Sequence, residues 1–219
     1  MLEIYIADIS PLEQEELFDK LMEQVSSYRT GKVLACKNKK DRCRALAAGF
    51  LLKKALQKYQ IEEQELSYEV NAHGKLMLPE ELGLFFNLSH AGDYAVCALS
   101  TENVGIDLEQ TKERFSGERA KLRLASLKKK TLTEEEKLLF EGISFNEQIS
   151  LFGRIWTKKE SYAKEDGRGM LLPFAEIDTL HKAYSIDQEI APGYWLSVYQ
   201  KHPKEAEVIY YDLAEAVKR

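Results

Sequence analysis

Cysteine is scarce in this chain of 219 residues, and the three that occur, Cys36, Cys43 and Cys97, form no C-x-x-C pair. An odd number at such spacings offers neither a disulfide framework nor a thiolate zinc site, so the cysteines read as reduced packing residues. Proline and glycine are sparse too, at 5 and 12, and no Pro/Gly/Ser-rich linker or low-complexity tract divides the chain. Any two halves must therefore pack directly. No apolar run approaches the ~18 residues of a membrane span, and the start, Met1 to Asp8, lacks the basic and apolar regions of a signal peptide. The expectation is a soluble, cytoplasmic protein with no membrane partner. Excess basic charge is also missing: 31 Lys plus Arg against 36 Asp plus Glu give −5, which argues against nucleic acid as a partner.

The first half begins with a strand over 2–9. Ser10-Pro11-Leu12-Glu13 then supplies an N-cap, a proline at the first helical position and a glutamate at the third, predicting a helix to about Tyr28. The basic segment Lys37 to Arg44 leads into Ala45 to Leu52, a buried helix running to about Tyr59. Cations on its first turn oppose the helix dipole, and either a bound anion or plain solvation makes them tolerable. Asn71-Ala72-His73-Gly74 marks a hairpin between 66–70 and 75–78. A meander is predicted next, 84–89, 94–99 and 104–109, which puts Ser89-His90 at a strand end in the same sheet as Asp107. His90 is either a structural histidine or part of a site.

Residues 110–151 turn helical and charged, with Thr133 to Glu136 as a capping box. The basic, apolar segment Lys112 to Lys130 serves equally as a docking surface or as a solvated amphipathic helix. A helix over 146–165 puts Trp156, Glu160 and Lys164 on one face, and Gly167 and Gly169 end it. Short strands finish the chain near 183–186, 194–200 and 207–213. Helices followed by antiparallel strands in each half suit an α+β protein of two similar subdomains.

The centre of the sequence is Val104-Gly105-Ile106-Asp107-Leu108-Glu109. As a strand it turns Val104, Ile106 and Leu108 inward and leaves two carboxylates on the other face, about 6.7 Å apart along the strand. Such a pair either lies on a solvated acidic face or holds a hard cation, Mg²⁺ being the simplest. A glutamate and a lysine one turn apart on a helix, such as Glu160 and Lys164, ordinarily form an ion pair.

Together these segments resemble one family. Trp156-Thr157-Lys158-Lys159-Glu160-Ser161-Tyr162-Ala163-Lys164 with Gly167 and Gly169 is similar to the W-x-x-K-E-x-x-x-K-x-x-G-x-G signature of 4′-phosphopantetheinyl transferases. Gly105 to Glu109 and Phe86-Asn87-Leu88-Ser89-His90 resemble its G-I-D-x-E and F-N-x-S-H motifs, in family order. The length is similar to the monomeric, surfactin-synthetase type.

The resemblance implies two pseudo-symmetric subdomains, 1–103 and 104–219, with coenzyme A between them. It also implies transfer of 4′-phosphopantetheine to a serine of an apo acyl or peptidyl carrier protein, releasing 3′,5′-ADP. On this reading Asp107, Glu109 and Glu160 hold Mg²⁺, with Mn²⁺ as the other candidate ion. Arg44, Lys75, Ser89, His90 and Lys164 bind coenzyme A, and Glu160, Lys164 and His90 act in catalysis. Ala91 and Leu76 depart from the family pattern, which usually has serine and proline there. The competing readings are a non-catalytic relative that binds coenzyme A or a carrier protein, and a Mg²⁺-dependent hydrolase using water.

Overall fold

β1 (Leu2–Asp8) is buried along almost its whole length because both of its faces are covered. The computed structural model describes residues 1–111 and 115–216. Tyr5 and Ala7 face a core built with α3 (Lys39–Gln57), while Leu2, Ile4 and Ile6 face a second core shared with β6 (Gly105–Gln110) and β8 (Tyr194–Tyr199). The first sheet has the order β4-β5-β1-β9, with β4 (Phe85–Ala91), β5 (Tyr94–Ser100) and β1 antiparallel and β9 (Glu207–Tyr210) parallel to β1. The second runs β6-β8-β7, all antiparallel, with β7 at Ile186–Ala191. A long helix lies on the outer face of each sheet: α3 on the first and α6 (Phe145–Asp166) on the second. This is the expected α+β architecture of sheet-and-helix units packed face to face.

Four local readings are corrected. The helix predicted from Ser10 to Tyr28 is a 3-10 turn at Ser10–Glu13 followed by α1 (Glu15–Met22) and α2 (Ser27–Leu34). Ser26 breaks it, because its hydroxyl caps α2 and both its N–H and its O–H donate to the buried Glu63 carboxylate. The hairpin strands shrink to β2 (Glu69–Val70) and β3 (Leu76–Met77). The strand expected near 183–186 lies instead at Ile186–Ala191. The start of α3 finds partners within the chain. Asn38 caps the helix, the Asp41 carboxylate accepts from Arg44, and Lys40 pairs with Asp93 at 2.8 Å.

The largest correction concerns the meander. β6 leaves the first sheet, and β4 meets it through side chains: Asn87 Oδ1 accepts the Ile106 N–H at 3.0 Å and Ser89 Oγ the Leu108 N–H at 3.2 Å. Polar side chains of one edge strand thus satisfy the amides of another, and the seam between the sheets becomes a cleft.

Between β6 and α6 run α4 (Ala120–Thr131) and α5 (Glu134–Leu138), the latter opened by the predicted capping box. Lys112 to Arg114, the start of the expected docking segment, lie outside the described residues. Glu136 of that box is fully buried and pairs at 2.7 Å with Lys159, also fully buried, which donates to the carbonyls of Phe174 and Ile177. Thr179 donates twice to the same carboxylate. Removing one partner strands the other charge, so Lys159→Met is expected to cost about 3–5 kcal/mol. Urea unfolding measures this, and a loss below about 1 kcal/mol would contradict the pairing.

Candidate active site

β6 and α6 bring the expected acidic and basic groups together. Gly105 makes this possible: a Cβ there would lie 1.9 Å from the Ser161 carbonyl oxygen and 2.4 Å from the Glu165 nitrogen, so the helix backbone rests directly on the strand. Asp107 is 6 % exposed, and its Oδ1 accepts from Lys164 Nζ at 2.7 Å and from Ser89 Oγ at 3.0 Å. Lys164 also donates to Ser89 Oγ and to the Ile106 carbonyl, each at 3.0 Å. The second oxygen, Asp107 Oδ2, is buried with no hydrogen-bond partner. A buried carboxylate oxygen left so is costly unless a cation or donor arrives.

Asp107 belongs to the wall of a cavity of about 900 Å³ lined also by Ser89, His90, Glu109, Trp156, Glu160 and Lys164. Glu109 and Glu160 are half-buried. Smaller cavities extend it at both ends. One includes His73, Gly74, Lys75 and Gly167 and shares Lys164; the other includes Asp41, Arg44, Gly92 and Gln110 and shares His90 and Glu109. β4 runs along the whole cleft, with Phe86 to Leu88 at the first end and His90 and Ala91 at the second.

Among the described residues no three His, Cys, Asp or Glu side chains form a group that could hold a metal ion as they stand. The donor chemistry nevertheless fits a hard cation. Three carboxylates line one cavity, and the buried Asp107 carries an oxygen without a partner.

Arg44 and Lys75, both expected to bind coenzyme A, lie at opposite ends of the cleft. Arg44 donates to the Gly92 carbonyl at 3.0 Å and to Asp41 at one end of the cleft. Lys75, at the other, donates to Asn103 Oδ1 at 2.7 Å and to the Glu165 carbonyl at 3.1 Å. Burial pushes the Lys75 ammonium down to about 8. His90 lines both the central cavity and the one that holds Arg44, where desolvation, then the Arg44 charge, holds its imidazolium below the ordinary 6.5.

Sequence reading missed Arg29 and Lys32 of α2, which add two cations to the cavity wall. Arg29 is 7 % exposed, lies over the Tyr68 ring at 5.0 Å, and its Nε pairs with the buried Glu63 carboxylate at 3.5 Å. Nothing local could have revealed it, because the break that makes α2 a separate helix depends on Glu63, 37 residues downstream of Ser26.

Residues 103–209, which carry β6 and α6, match the 4'-phosphopantetheinyl transferase superfamily. The 4'-phosphopantetheinyl transferase Sfp of Bacillus subtilis (strain 168) is 28% identical over 209 residues, covering 88% of this chain and 89% of Sfp. The chain belongs to the 4'-phosphopantetheinyl transferase superfamily. The 4'-phosphopantetheinyl transferase gsp of Aneurinibacillus migulanus is 29% identical over 174 residues, covering 79% of this chain and 69% of gsp. AcpT of Escherichia coli (strain K12), a further 4'-phosphopantetheinyl transferase, is 33% identical over 115 residues, 52% of this chain and 55% of AcpT. In this superfamily member the three motif segments, far apart in sequence, line one cleft.

Proposed function

We propose that this transferase moves the 4′-phosphopantetheine group of coenzyme A onto a serine hydroxyl of an apo acyl or peptidyl carrier protein. The observation that carries the reading is the meeting of Asp107, Glu109, Glu160, Lys164, Ser89 and His90 on one cavity. The serine oxygen attacks the β-phosphate, the bond from that phosphorus to the bridging oxygen breaks, and 3′,5′-ADP leaves. Asp107, Glu109 and Glu160 would hold Mg²⁺ or Mn²⁺, which supplies charge neutralisation at the pyrophosphate.

The chain's own groups do the positioning. Lys164, held by Asp107, Ser89 and the Ile106 carbonyl, presents a point charge to the pyrophosphate. Ser89 and His90 flank it, and Arg29, Lys32 and Arg44 add positive charge along the walls. Glu160 is the candidate acceptor of the serine proton. α4, with Leu122 exposed near its start and Lys128, Lys129 and Lys130 in its last turn, is the proposed docking surface for an acidic carrier. The same reading divides the enzyme at residues 103 and 104 and makes it monomeric and cytoplasmic. Among the described residues no helix is long and apolar enough to cross a membrane.

The test is release of 3′,5′-ADP from coenzyme A, followed with and without an apo carrier protein. Release that needs the carrier supports the transferase; release without it would favour the hydrolase.

His90 gives the site a pH signature. Its folded-state value lies below 6.5, so the empty protein binds fewer protons there than the unfolded chain. Its stability contribution is complete above about pH 6.5 and is lost as pH falls through the lowered value. A polyanion beside the imidazole favours the charged form. Binding of 3′,5′-ADP is therefore expected to take up a proton near pH 6.5, measured by calorimetry in buffers of different ionisation enthalpy. The uptake should fall in His90→Asn, and an identical uptake in that variant would remove His90 from the site.

A further inference from the structure

The hairpin that carries Lys75 is joined to the end of the helix that carries Lys164. An ammonium has three N–H donors, and the structure gives each an oxygen. Lys75 Nζ lies 2.7 Å from Asn103 Oδ1, 3.1 Å from the Glu165 carbonyl and 3.5 Å from the Val104 carbonyl. Two amides continue the junction. Asn103 Nδ2 donates to the Glu165 carbonyl at 2.7 Å, and Asn71 Nδ2 donates to the Gly167 carbonyl at 3.1 Å. Asn71 Oδ1 in turn receives the N–H groups of His73 and Lys75, which sets the shape of the turn.

The Glu165 carbonyl is one of those a helix leaves unpaired in its last turn, where a positive charge is also stabilised by the negative end of the dipole. Gly167, at φ 87°, closes α6, and a Cβ there would sit 2.8 Å from Asn71 Nδ2 and 3.4 Å from Lys75 Cδ. Hairpin, β6 entry and helix end thus fit one another without space for a larger residue.

We propose that Lys75 is a positioning residue and not a phosphate ligand: with Asn71 and Asn103 it latches the hairpin and the start of β6 onto the last turn of α6, fixing Lys164 against Asp107. The acceptors come from the two segments that deliver Asp107 and Lys164. A Lys75 turned toward a phosphate would give up its bond to the helix end that carries Lys164. The kinetic part of this inference rests on the transferase reading above; the latch itself does not.

Two variants separate the possibilities. Lys75→Met removes the ammonium, whereas Asn103→Ala removes one of its acceptors, leaves the lysine charge in place and changes a residue that itself lines none of the three cleft cavities. The latch predicts that both variants lower kcat by about tenfold or more, as misplacement of a reacting group does, while KM for coenzyme A stays within about threefold. It also predicts faster amide exchange over residues 165–167 in both ligand-free variants. A phosphate ligand predicts the opposite split: Lys75→Met raises KM about tenfold at unchanged kcat, while Asn103→Ala, which frees the lysine, does not. That pattern, or unchanged exchange in both variants, overturns the proposal. If the wild-type protein transfers nothing, the transferase reading fails and exchange alone decides the latch. Asn103→Ala keeps the test open should Lys75→Met not fold.

Discussion

Replacing Asp107 with asparagine is expected to reduce transfer by about 10²–10³-fold while leaving the protein folded, the range seen when one preorganised electrostatic group is removed from a reaction centre. The substitution keeps size and shape but removes the carboxylate bonded to Lys164 at 2.7 Å and the oxygen that is buried without a partner. Two functions fail together: the lysine loses the charge that aims it, and the proposed cation site loses its most buried ligand. Retained folding follows from Lys164, which is partly exposed and keeps Ser89 and the Ile106 carbonyl as acceptors. Steady-state rates with saturating coenzyme A, alongside a thermal melt, check both parts. Activity within about threefold of wild type would remove Asp107 from the machinery.

Gly105→Ala is expected to damage fold and activity at once. The new methyl would overlap the backbone of Ser161 and Glu165, at 1.9 and 2.4 Å, and backbone on a packed helix cannot turn aside as a flexible side chain can. α6 must lift from β6. Overpacking of this kind costs about 1–3 kcal/mol, and because Glu160 and Lys164 ride on the displaced turns, a shift of about 1 Å is enough to lower the rate about 10²-fold. Urea unfolding and activity measured well below the melting temperature separate the two effects. An alanine variant with wild-type stability and rate would show that the close contact carries no constraint.

Gly105 also marks how far the sequence could be read. The alternation around Asp107, the spacing of Trp156, Glu160 and Lys164, the capping box at Thr133 and the terminal glycine of α6 are local signals, set by strand pleat, helical turn and cap chemistry. The structure carries each of them. What was misread depends on partners distant in the chain. Ser26 ends a helix because Glu63 reaches it. β6 leaves the first sheet because Asn87 and Ser89 satisfy its amides with side chains, which no period of two can signal. β9 returns from the second half to pair in parallel with β1, giving the first sheet a strand that the division at residue 103 assigns elsewhere. The roles expected for Arg44 and Lys75 were assigned by motif position, and only folding separates them to opposite ends of the cleft.

The central claim is best tested by intact-mass spectrometry of an apo acyl carrier protein and an apo peptidyl carrier domain, each incubated with this protein, coenzyme A and Mg²⁺. The account predicts that at least one carrier gains the mass of a single phosphopantetheine, and that the gain disappears on chelation and with a Glu109→Ala variant. Carriers that keep their apo mass while coenzyme A remains bound to the protein would contradict it and leave a binding protein in place of a transferase.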